Sequence, residues 1–245
     1  MENQISIKEI LSVTMKLIID KKKEIFESLK YPLLGIITLS LLNFEKVESF
    51  TIQLVIFLIL STYLYILITI KCHRIALLDE GELGLLQAFT WNSRCTNFLI
   101  ATILLSFALG LLTLPTIMLL SFFFGVITND NINFTYLMII ATVPAGYIFA
   151  RLSLIFPAIA TDRDKSFRYA WKLSKGNGWQ LFFIVLLFPW LANSATGFLS
   201  NEHLFTKMIL SIFGVLVLIF EVMILSKSYQ YLTSTNKPNN SINSD

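Results

Sequence analysis

Apolar residues gather into six runs separated by short polar connectors: 31–44, 50–70, 98–124, 134–160, 179–199 and 204–225. At a rise of about 1.5 Å per residue, most of these runs are long enough to cross a hydrocarbon core of about 30 Å as helices. They lack the strict alternation of barrel strands, and a lipid-exposed backbone must satisfy its own hydrogen bonds. The pattern therefore predicts an all-α polytopic membrane protein with six transmembrane helices. The first run is the short one, 14 residues or about 21 Å of helix. Extending it back through Ile25, Phe26 and Leu29 supplies the missing length, with Pro32 tolerated near its beginning.

The connectors carry a second pattern, that of amphipathic helices lying on a membrane surface, at 5–19, 83–91 and 164–175. In the first, Ser6 and Glu9 have capping-box spacing; Ile7, Ile10, Leu11, Thr14 and Ile18 define one side, while Lys8, Ser12 and Lys16 lie elsewhere. In the third, Lys165, Arg168, Lys172 and Lys175 share one face and Phe167, Ala170 and Trp171 make another. That basic face is expected to attract anionic lipid headgroups, each charge adding about 1 kcal/mol. Phe167, Trp171 and Trp179 are the expected interfacial anchors. Leu85, Ala88 and Phe89 repeat the spacing of Phe167, Ala170 and Trp171, so spans 2–3 and 4–5 read either as related hairpins or as two hairpins converging on one solution.

Composition supports lipid as the main solvent: 55% of residues are hydrophobic, 21 are Phe, and the mean hydropathy is +0.70, which leaves too few polar residues to cover a soluble globule. The net charge of +3 is modest and its residues are spread along the connectors, which argues against nucleic acid as a partner. Six lysines precede the first span, Lys71, Arg74 and Arg94 lie in 71–97, five basic residues lie in 161–178, and Lys227 and Lys237 follow the last span. Cytoplasmic connectors carry the excess of Lys and Arg, so both termini are expected in the cytoplasm and the protein in the inner (plasma) membrane. The organisation is a cytoplasmic amphipathic segment (1–30), a membrane domain (31–225) and a polar tail (226–245) expected to be largely disordered. Residues 1–20 contain no continuous apolar core, so no cleavable leader is expected.

Candidate chemistry is sparse. Arg151 in span 4 and Glu221 in span 6 lie about equally far from the starts of their spans, which run in the same direction. An unpaired charge at that depth costs about 2.5 kcal/mol or more, so an intramembrane Arg151–Glu221 ion pair is expected, acting either as helix glue or as a proton or substrate site. Pro115, Pro144, Pro157 and Pro189 predict bends, and Ala141, Ala145, Gly146 and Ala150 predict close helix packing. Cys72 and His73 are neighbours whose side chains diverge on a helix, so a nucleophile–base pair is not expected. Two His and two Cys, scattered along the chain, predict no metal and no cofactor, and Cys72 and Cys95 are expected to stay reduced. Gly176-Asn177-Gly178 reads as a helix stop before re-entry. No catalytic constellation appears, so an enzyme is not expected.

Arg151 within a span, the run Phe156-Pro157-Ala158-Ile159-Ala160, then Ser166, Ala170, Trp171, Ser174, Lys175-Gly176 and Trp179 together resemble the bacterial six-helix membrane domain attached to glycerophosphodiester phosphodiesterases, and its standalone relatives. The resemblance covers about 40 residues well and implies a multi-pass inner-membrane protein of unassigned molecular role; the soluble phosphodiesterase domain has no counterpart here. Two functions are expected. One is a non-enzymatic component associated with membrane lipids, anionic ones above all, with a second copy of the chain, or with a membrane-protein partner. The other is a small-solute transporter using bent helices and the Arg151/Glu221 locus.

Overall fold

In the computed structural model, which describes residues 5–41, 50–78, 91–128, 134–197 and 204–235, the chain is helical throughout, with no strand among the described residues. The elements are α1 (Ile7–Asp20), α2 (Lys22–Leu41), α3 (Phe50–Leu77), α4 (Ser93–Thr128), α5 (Phe134–Leu152), α6 (Ile155–Ala160), α7 (Phe167–Leu173), α8 (Gly178–Phe182), a π-helical segment (Phe183–Leu187), α9 (Phe188–Gly197) and α10 (Leu204–Thr235). Four stretches are long and apolar enough to cross a membrane: Leu54–Leu77, Ser93–Phe123, Ile140–Ala160 and Met208–Thr235. The fifth expected span corresponds to a shorter apolar stretch, Gly178–Leu191. The first corresponds to α2, whose opening turns carry Lys22, Lys23, Glu24 and Glu27.

Two of the four prolines change the helix and two do not. Had α5 continued, the Pro157 ring would collide with the Ser153 carbonyl. Instead the chain turns at Ser153 and Leu154, where Phe156 N–H bonds Ser153 O at 3.0 Å, and restarts as α6 with Pro157 in its first turn. There a missing N–H removes nothing the helix needs. Pro189 follows directly on the π segment, whose wider turn lets the helix carry on into α9. The helix runs on through Pro115 and Pro144. The small-residue face of α5 is a packing face as expected. Ala141, Ala145, Gly146 and Ala150 are buried, and a Cβ on Gly146 would come within 2.7 Å of Leu186.

At one end of the bundle the basic connectors converge. Lys21 Nζ donates to the Ile75 carbonyl at 3.0 Å and Lys227 Nζ to that of Ala76 at 3.2 Å, so two ammonium groups satisfy the final turn of α3. Arg74 donates to the Ala160 carbonyl at 3.1 Å, and Arg94 pairs with Asp162 at 2.6 Å. Ile5 N–H reaches Asn177 Oδ1 at 2.7 Å, which ties the start of α1 to the turn before α8.

The Ser6 cap is present, its side chain accepting from Glu9 N–H. The side of α1 expected to be apolar holds its buried residues, Ile10 and Thr14, but it packs against α10 and the protein core where a membrane surface was expected. The amphipathic helix expected at 83–91 falls, but for Trp91, outside the described residues, as do His203 and the tail beyond Thr235.

Candidate functional site

Helix α3 carries polar side chains at every fourth position in a mainly apolar run: Ser61, Tyr65, Thr69 and His73, with Thr62 beside the first and Lys71 on another face. Four-residue spacing places them on one face. Thr102 and Ser106 repeat the spacing on α4. These two faces, the turn between α5 and α6, Val185 of the π segment and the middle of α10 line a half-open cavity of about 510 Å³, with Tyr65 exposed at its edge. Phe98, Leu105, Phe149, Phe156 and Leu218 supply much of its apolar wall, and Ser153 and Glu221 add polar groups from α5–α6 and α10.

Four of the hydroxyls around the cavity are turned toward their own helices. Ser61 donates to the Phe57 carbonyl (2.6 Å), Thr69 to Tyr65 (2.7 Å), Thr102 to Phe98 (2.9 Å) and Ser153 to Ala150 (2.8 Å). With their protons committed to backbone carbonyls, these groups offer lone pairs. His73 is 0% exposed, and its Nδ1 lies 2.7 Å from Ser226 Oγ. Ser226 Oγ also lies 2.8 Å from the Val222 carbonyl, so its rotatable proton serves either that carbonyl or Nδ1. The Nε2 atom, on the other side of the ring, finds no hydrogen-bond partner among the described residues.

Arg151 and Glu221 are not brought together. The Arg151 Nε donates to Ser174 Oγ at 2.9 Å and its Nη2 to the Trp171 carbonyl at 2.8 Å; its guanidinium stacks 3.5 Å from the centre of the Trp171 ring. Helical phase explains the difference. Phe149 and Ser153 face the cavity, whereas Arg151, two residues from each, points about 200° around the helix. Arg151 thus fastens α5 to α7, and Glu221 lines the cavity, within electrostatic range of Tyr65.

The four cations of 165–175 are solvent-exposed, with Lys165 also 3.8 Å from Asp162. Ser166 caps α7, and Ala170 and Leu173 are buried beneath it. Of the expected anchors, Phe167 packs on the core, Trp171 lies beneath Arg151, and Trp179 is 57% exposed against Tyr147. Cys72 and Cys95 are free, buried thiols.

Sequence reasoning found no converging polar groups, and the structure corrects this. The missed signal is the four-residue register of Ser61, Tyr65, Thr69 and His73. Against known proteins, no family model matches this chain, nor does any curated protein or solved structure.

Proposed function

We propose that this chain is a multi-pass inner-membrane protein, crossing six times with both termini in the cytoplasm, that binds a small solute among α3, α4, α5, α6 and α10 as a permease-like transporter would. One observation carries the reading: a carboxylate, an imidazole and several hydroxyls line one cavity within helices that are otherwise apolar. Polar groups at such depth are costly, and their gathering is the mark of a ligand or ion path. The test is untargeted mass spectrometry of small molecules retained by the purified full chain, followed by uptake of any retained solute into proteoliposomes. A stoichiometric solute held by the native chain and lost from Glu221→Gln is expected; retention of phospholipid alone sinks the reading.

A second reading, a non-enzymatic component held on anionic lipid, is favoured by the exposed Lys165, Arg168, Lys172 and Lys175 beside the exposed Trp179. It predicts a higher melting temperature in phosphatidylglycerol than in phosphatidylcholine nanodiscs, a difference abolished by replacing all four cations with Gln. Orientation is testable with thiol labels. Because Cys72 and Cys95 are buried, a Lys165→Cys variant should react with an impermeant reagent only from the cytoplasmic side. The resemblance to the six-helix bacterial membrane domain supports the same topology.

A further inference from the structure

We infer that the cavity takes a small organic cation, a protonated amine carried on an apolar body; this names the substrate class for the solute-binding reading above and rests on it. Three independent features of the lining agree. The first is charge: the described lining residues include one carboxylate, Glu221, and no lysine or arginine. A solute bearing an anion would meet no countercharge there, whereas an ammonium group would.

The second is hydrogen-bond polarity. Ser61, Thr69 and Thr102 donate to backbone carbonyls of their own helices, so the atoms they leave for a guest are acceptors. A carboxylate or phosphate would set acceptors against acceptors.

The third is the wall itself. Phe98, Phe149 and Phe156 present aromatic surface, which attracts cations through the ring quadrupole and accommodates an apolar body. A volume of about 510 Å³ lies within the range of small-molecule sites and exceeds what a bare metal ion would fill.

The experiment measures binding of three matched probes to the detergent-solubilised full chain by isothermal titration calorimetry. Phenethylammonium is the cation, 2-phenylethanol its neutral counterpart and phenylacetate the anion. Phenethylammonium should bind at least about tenfold more tightly than either. Glu221→Gln should erase that preference and Glu221→Asp should retain it. Arg151→Gln, away from the cavity, should leave all three unaltered. Gel filtration and melting temperature establish that each variant is folded, and the Asp variant carries the test if Gln fails to fold. Equal binding of amine and alcohol, or tighter binding of phenylacetate, overturns the cation assignment while leaving a solute cavity standing. Absence of binding by all three up to about 10 mM overturns the assignment as well. If no solute of any charge is retained from extracts, the solute-binding reading falls with it.

Discussion

The two halves of α3 are similarly apolar in sequence and meet opposite surroundings. Leu54, Val55, Ile56, Leu58 and Ile59 are all exposed, Ile59 at 66%, whereas Ile66, Leu67, Ile68, Ile75 and Ala76 are buried, Ile68 and Ile75 at 0%. Helix α10 divides likewise, with Met208, Ile209, Ile212 and Phe213 exposed and Val222, Met223, Ile224 and Leu225 buried. Hydropathy measures only the preference for leaving water, and lipid and protein satisfy it equally well. What distinguishes the buried halves is polar contact between helices: Lys71 to the Ser28 carbonyl at 2.6 Å, His73 to Ser226, and the lysines that close α3. In an apolar solvent such contacts specify which helix faces meet, because the hydrophobic effect no longer does.

The sharpest way to break this comparison is to truncate the same residue type in both halves. Ile75→Ala should lower stability by about 2–5 kcal/mol through cavity formation, while Ile59→Ala should stay within about 0.5 kcal/mol. Unfolding of the two variants in one detergent reads the difference, and equal losses would mean the exposed half is covered by protein. The next effect concerns close approach at the packed end. A Cβ on Gly178 would run into the Tyr147 ring, so Gly178→Ala should cost about 1–3 kcal/mol, and Tyr147→Leu in the same chain should recover much of it. A smaller effect is expected where Arg151 stacks on Trp171. A double-mutant cycle of Arg151→Gln and Trp171→Phe should give a coupling of about 1 kcal/mol, whereas a cycle of Arg151→Gln with Glu221→Gln should give none.

Much of this molecule was legible before any coordinates. Among the described residues the predicted apolar runs are helical except at the turn of Ser153 and Leu154, Ser6 caps α1, and Ala141, Ala145, Gly146 and Ala150 form a packing face, because each of these depends on residues within a few turns of one another. Expectations that depended on pairs distant in sequence fared differently. Arg151 and Glu221 agree in depth, but depth along a helix says nothing of azimuth, and a turn at Ser153 separates α5 from α6. The apolar side of α1 was identified correctly, although its neighbour, α10 rather than lipid, is more than a hundred residues away.

The sequence by itself determined that the chain is helical and where its apolar stretches lie, since hydropathy, capping and proline act locally. Only the tertiary structure decided that Tyr65, Thr69, His73, Thr102, Ser153 and Glu221 share one cavity. Their meeting depends on the rotation of several helices about their axes, and that rotation is set by interhelical contacts such as those of His73 with Ser226 and Arg151 with Ser174. No single stretch of chain encodes such contacts, because each needs a donor on one helix and an acceptor on another.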